Sequence, residues 1–161
     1  LGHTLIAHVK GPAENILTAD RMRGFSRALE DAGLPVVADL IVEGDFSIAS
    51  GRAAAIQLMN WKAMPTGIVC ANDEMAMGVI QALKNEGHNI PGDISVVGFD
   101  DIQFSAAYDP PLTTVHQPRR QLGQEAMRIM IDGLETGVVA EAPIVMDAEL
   151  IVRGSTAIAS T

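Results

Sequence analysis

Four short runs of apolar, largely β-branched residues recur along this chain about every 30 residues, the length of one strand-plus-helix unit. They are Leu5–Val9, "VVADLIVEGD", "GIVCAND" and "ISVVGFDD", and the first three are each followed by a segment with apolar residues at helical spacing. The first such segment, about Ala19–Ala32, carries Met22, Phe25, Ala28, Leu29 and Ala32 on one face, with Gly33 as a stop signal. Ser47 caps the second, which runs to about Met59 with Ile48 and Ala55 on its apolar side. The third runs from about Glu74 to Asn85 with Ala76, Val79, Ile80 and Leu83 inward; Gly87 ends it, and Pro91-Gly92 turns the chain into "ISVVGFDD". Near-continuous apolar strands alternating with amphipathic helices predict an α/β fold: a parallel sheet covered by helices on both faces.

After Asp101 the rhythm breaks. A longer irregular segment holds a short strand, Leu112–Val115, and Pro118 then starts a helix through about Leu134. Its stripe is Leu122, Ala126, Ile129, Met130 and Leu134; Gly137 stops it, and two extended pieces, Ile144–Met146 and Glu149–Val152, finish the chain. With 161 residues there is room for one domain with a real core, and a composition 48% hydrophobic but 4% aromatic suits aliphatic helix-on-sheet packing. At the other end, Leu1-Gly2 reads as the tail of a helix and its C-terminal cap, so a C-terminal fragment of a longer protein is expected.

Charge narrows the partners. A net charge of −9, with Arg119-Arg120 as the densest basic patch, argues against this polypeptide gripping nucleic acid. Cys70, the one cysteine, excludes an intrachain disulfide and any four-cysteine zinc site, and fits a reducing compartment. No apolar run approaches the roughly 20 residues of a membrane span.

In an open parallel sheet, ligands bind beyond the carboxyl ends of the strands. Those ends are Gly11-Pro12, Gly44-Asp45-Phe46, Asn72-Asp73 and Gly98-Phe99-Asp100-Asp101, a rim of polar and glycine residues that would suit a shared pocket, and equally residue types that end strands anywhere. Asp100-Asp101 could bind a metal, accept a phosphoryl group, accept hydrogen bonds from a ligand, or cap a helix. Catalysis finds little support: no P-loop, GxSxG or HExxH motif is present, and His3, His8, His88 and His116 lack ligand spacing. Neighbouring strand residues also point to opposite faces, which disfavours one metal shared by both carboxylates. A binding module uses the same residues better. A sugar-like ligand needs acceptors for its hydroxyls, a donor fork and an apolar plate; Asp100, Asn72, Arg21 and Phe46 supply these. Met77, on the helical face of Gln81 and Lys84, and Tyr108, ahead of "DPPLTT", are candidates for an exposed dimer contact or for unremarkable surface.

Together "RMRGFSRALEDAG", "GIVCANDEMAMGVIQAL", "IPGDISVVGFDD", "DPPLTTVHQP" with "LGQEAMRIMIDGL", and "ELIVRGST" resemble the LacI/GalR repressor family over nearly the whole chain, Leu1 to Thr156. The resemblance implies a periplasmic-binding-protein-like fold of two α/β lobes with the ligand between them, of which this chain is the C-terminal part. Residues 1–117 would then form the C-terminal lobe, 118–137 a helix that packs in the other lobe, and 138–161 the returning strands and tail. It places effector contacts at Arg21, Phe46, Asn72, Asp100 and Gln117, and a further one at Asn15. Leu17 departs from the pattern, being apolar where some relatives carry a polar contact. The implied protein is a cytoplasmic, homodimeric, non-enzymatic regulator with no cofactor and no metal, which senses a small carbohydrate-like effector and reaches operator DNA through a headpiece outside this chain. The rival implied by the same fold is a periplasmic sugar-binding protein of an uptake system.

Overall fold

The computed structural model describes residues 1–138 and 142–159. In chain order its elements are β1 (Ile6–Lys10), α1 (Ile16–Asp31), a 3-10 turn (Ala38–Leu40), β2 (Ile41–Glu43), α2 (Ile48–Met59), β3 (Gly67–Cys70), α3 (Asp73–Asn85), β4 (Ser95–Asp100), β5 (Thr113–His116), α4 (Arg119–Thr136) and β6 (Glu149–Ile151). They make one six-stranded sheet in the order β2-β1-β3-β4-β5-β6, parallel from β2 to β5, with β6 antiparallel to β5 at the edge. The expected α/β fold is therefore present.

Side-chain caps set the helix starts. Asn15 accepts from Leu17 N–H at 2.9 Å, Ser47 from Ser50 N–H at 3.1 Å, and Asn72 from Met75 N–H at 2.9 Å. The Asn15 cap starts α1 three residues before the expected Ala19, because Ile16 and Leu17 extend the helix as solvent-facing residues outside its apolar stripe. The strand expected through "VVADLIVEGD" is shortened for a related reason: Ala38–Leu40 closes a 3-10 turn, and Ile41–Glu43 alone pairs with β1. Of the two closing pieces only Glu149–Ile151 is a strand; Ile144–Met146 is irregular, with Val145 87% exposed.

The pleat divides the sheet into two unlike faces. Ala7, Val9, Ile68, Cys70 and Val96 point to the side on which α2 and α3 pack, and all are buried. That packing depends on two glycines. A Cβ on Gly51 would lie 2.2 Å from the Met75 carbonyl oxygen, and one on Gly78 would lie 2.1 Å from that of Ile48, so the two helix backbones touch directly. On the opposite face lie His8, Val69, Phe99 and Val115, and there α1 leaves an open groove of about 570 Å³. The second face is thus covered in part, where the apolar pattern of the strands predicted full cover.

Met77 corrects an expectation. The helical pattern puts it on an exposed face, but it is 4% exposed. The Tyr108 hydroxyl donates to the Met77 carbonyl at 2.9 Å, and the loop carrying Tyr108 packs over the helix flank that pattern alone left open.

Candidate ligand-binding site

The carboxyl ends of β1, β2, β3 and β4 and the segment after β5 converge at one end of the sheet, and the expected residues arrive from different elements. Arg21 stands in the second turn of α1. Its guanidinium lies 4.1 Å above the Phe99 ring, donates Nη1 to the Ala71 carbonyl at 2.5 Å, and reaches Asp100 Oδ1 through Nη2 at 3.4 Å. Gln117 Nε2 donates to the same Oδ1. A guanidinium, a carboxamide and a carboxylate therefore meet at one point, the last residue of β4.

The electrostatics of that point are set by partial burial. Burial raises Asp100 above the ordinary carboxylate range against the opposing pull of Arg21 and Gln117, and burial likewise lowers Arg21 against the pull of Asp100. A 3.4 Å ion pair is too loose to offset desolvation on either partner. Hydroxyl groups arriving from a ligand would meet a carboxylate short of donors and a guanidinium short of acceptors.

Phe46, Asn72 and Asn15 stand at the same end but are engaged differently. Phe46 has φ 70, and its ring packs onto Gly11, where a Cβ would lie 2.2 Å from the ring carbon Cζ. Only glycine at position 11 lets the ring approach the strand end this closely, and this fixes the apolar plate. Asn72, 6% exposed, uses Oδ1 to cap α3 and Nδ2 to bond the Phe46 carbonyl at 2.8 Å. It braces the plate, and both its polar atoms are engaged. Asn15 is the cap of α1, beside the half-exposed Leu17. Tyr108 makes none of these contacts; its hydroxyl donates to the Met77 carbonyl of α3.

Several supporting residues had no clear signal in the sequence. Asp73, fully buried, accepts from Thr114 Oγ1 at 2.5 Å, Ser105 Oγ at 2.6 Å and Ile102 N–H at 2.9 Å, and so pins the loop after β4. Gly98 admits it, since a Cβ there would lie 2.2 Å from Asp73 Oδ1. The pair "ND" at a strand end could have hinted at a cap followed by a brace; the partners at Ser105 and Thr114 could not be guessed. His8, read as a strand residue, is one: its Nδ1 bonds the Val69 carbonyl at 2.8 Å and its ring stacks on Phe25 at 4.8 Å. Burial lowers its pKa, so the imidazole is neutral at pH 7. Among the described residues, no group of three or more His, Cys, Asp or Glu could hold a metal ion, and no helix is long and apolar enough to cross a membrane.

Strand ends that gather donors, acceptors and an aromatic plate at one end of a parallel sheet stand where α/β folds place small-molecule sites. The chain belongs to the periplasmic-binding-protein-like family, whose domain model matches residues 1–156. It is 39% identical over 155 residues to the HTH-type transcriptional repressor CytR of Escherichia coli (strain K12), a match that covers 96% of this chain and 46% of the relative. Its structure is similar to that of the transcriptional regulator CelR in complex with cellobiose (31% identity, TM-score 0.91, 96% of this chain and 47% of that one). It is similar also to the Lac repressor dimer bound to operator and the anti-inducer ONPF (35% identity, TM-score 0.90, 97% of this chain and 54% of that one). These matches bear out the resemblance to LacI/GalR regulators drawn from the motifs. The chain spans about half the length of the relatives it matches.

Proposed function

We propose that this chain is the ligand-sensing and dimerising part of a LacI-type transcriptional repressor that answers to a small, sugar-like effector. The observation that carries the reading is Asp100: a partly desolvated carboxylate whose bonds to Arg21 and Gln117 both fall on Oδ1, at the carboxyl end of a central strand. A polyol bound there would satisfy the carboxylate and the Arg21 fork at once, with the Phe46 ring as its apolar floor. Asn72 holds that floor in place, and Asn15 fixes the start of the helix that presents Arg21. Similarity to the transcriptional repressor CytR, and to a transcriptional regulator solved with cellobiose, favours this over the uptake-protein reading.

In the full-length protein, residues 1–117 and 138–161 form one lobe and residues 118–137 join a second lobe that closes the cleft from above. The absence of any buried residue in α4 supports that division. The protein acts as a cytoplasmic homodimer without enzymatic turnover, bringing Tyr108 and the helices beside it toward its partner, and meets operator DNA through a headpiece outside this chain. Effector binding re-angles the lobes, and the dimer passes the change to the headpieces. The test is calorimetric titration of the full-length protein with pentoses, hexoses, their phosphates and nucleosides. Saturable binding by at least one probe, lost in Asp100→Ala, is expected; a folded dimer that binds every probe equally well with and without Asp100 overturns the assignment.

A further inference from the structure

Two adjacent residues at the end of β5, His116 and Gln117, grip two adjacent carboxylates at the end of β4, Asp100 and Asp101. Gln117 donates to Asp100, and His116 Nδ1 lies 2.9 Å from Asp101 Oδ2. The second carboxylate is held far more completely than the first. Arg153, two residues beyond β6, donates Nη2 to Asp101 Oδ1 at 2.7 Å and Nη1 to the Leu112 carbonyl at 2.8 Å. Arg119, the first residue of α4, donates Nη2 to the Asp101 carbonyl at 2.8 Å, and Asp101 N–H reaches Thr114 Oγ1 at 3.4 Å. Asp101 thereby ties β4 to β5, to the start of α4 and to the chain after β6.

The backbone shows why such a tie is needed. Asp100 has φ 113 and Asp101 φ 50, both in the region that side chains other than glycine's rarely adopt. Strained residues of this kind persist where their surroundings over-determine them, and they gather at ligand sites. At Asp100 the side-chain bonds are the ones a ligand would compete for; at Asp101 they come from His116 and Arg153.

We propose that Asp101 is a positioning residue of the cleft: it holds Asp100 in its φ 113 conformation and fastens the start of α4 to the strand end, so that events at Asp100 are passed to α4. This rests on Asp100 being the ligand acceptor proposed above. A ligand that displaces Gln117 from Asp100 moves a residue two positions before Arg119, while Asp101 keeps Arg119 tethered. The start of α4 then pivots about a fixed point rather than coming loose.

The test is backbone hydrogen exchange on the full-length protein and its Asp101→Asn variant, without ligand and with D-ribose, D-glucose, D-glucose 6-phosphate or adenosine. Asparagine keeps the shape, tolerates the left-handed backbone and keeps the backbone carbonyl that holds Arg119, but lacks the charge that holds Arg153, so the variant tests whether the carboxylate fixes that carbonyl in place for α4. Without ligand, the variant's amides at residues 119–122 are expected to exchange about tenfold faster, the scale of one lost hydrogen bond to a charged group, with β3 amides unchanged. With a bound probe, the wild type alters exchange at residues 119–122; the variant loses that response and binds about tenfold more weakly. Unchanged exchange at residues 119–122, a full ligand response in the variant, or a parallel acceleration in β3 that marks general destabilisation would each overturn the proposal. Should Asp101→Asn fail to fold, Asp101→Gly, which suits φ 50 and removes the carboxylate, carries the same comparison. A wild type that binds none of the four probes counts against the ligand reading, and the ligand-free comparison alone then upholds or overturns the positioning role.

Discussion

Helices α3 and α4 read alike in the sequence, each with one apolar stripe and one polar side, yet they have opposite fates. Nine of the thirteen residues of α3 are buried and none of the eighteen of α4. Pattern marks the side of a helix that needs cover; the partner decides what is covered. For α3 the sheet lies on one side, α2 presses backbone to backbone through Gly51 and Gly78 on another, and the Tyr108 loop closes a third. Among the described residues helix α4 meets no such partner, and Met127, Met130, Ile131 and Leu134 are 46% to 80% exposed. The largest effect that tests the contrast is Leu83→Ala in α3. Leu83 is fully buried, so the variant should lose about 2–5 kcal/mol of stability in urea denaturation. A loss below about 1 kcal/mol would mean that this core is not closely packed.

The same contrast, held against unheld, recurs at the scale of two neighbouring side chains. Burial would raise Asp101 too, but the bonds from Arg153 and His116 outweigh it and hold the carboxyl below its ordinary range; at Asp100 burial wins. The two residues therefore depend on pH in opposite senses. The ionised form of Asp101 stabilises the fold above the unfolded carboxyl value of about 3.9, and that contribution is lost as pH falls through its depressed value. The contribution of Asp100 is full below the unfolded value and is lost as pH rises through its elevated one. Carboxyl NMR titration should find Asp101 ionising first and Asp100 last as pH rises. Arg153→Gln should move Asp101 upward and cost on the order of 1–3 kcal/mol, leaving Asp100 above its neighbour still. A single shared titration for both residues would remove the distinction between a ligand acceptor and its anchor.

Much of this architecture was legible because it follows from local rules. The strand–helix period, the caps at Ser47 and Gly33, and the strand ends that face the cleft all depend on residues near one another in sequence. What escaped depends on contacts between distant segments. The burial of Met77 needs Tyr108, 31 residues away, and the buried brace at Asp73 needs Thr114, 41 residues away. Asn72 was read as a ligand donor and acceptor; the structure engages both its polar atoms, one on the next helix turn and one on Phe46. Arg21 and Asp100 were chosen as separate strand-end and helix-start residues, and only the sheet order brings them together, through Phe99. The partial exposure of the second sheet face escaped as well, because apolar alternation records a need for cover and not its presence.

The smallest effect is also the sharpest for the comparison of helices. Leu134 is 80% exposed in α4, so Leu134→Ala in this chain alone should change stability by no more than about 0.5 kcal/mol, since little apolar area returns to water and alanine is the better helix former. In the full-length protein the same substitution should cost a buried leucine's share, about 2 kcal/mol or more, once a second lobe closes on that stripe. Paired denaturation of the short and full-length forms reads the difference directly. Equal, small effects in both would leave α4 an exposed helix and argue against the two-lobed arrangement. A large effect in the short form would mean that the stripe already finds a partner, which in a chain of this length would be a second copy of itself.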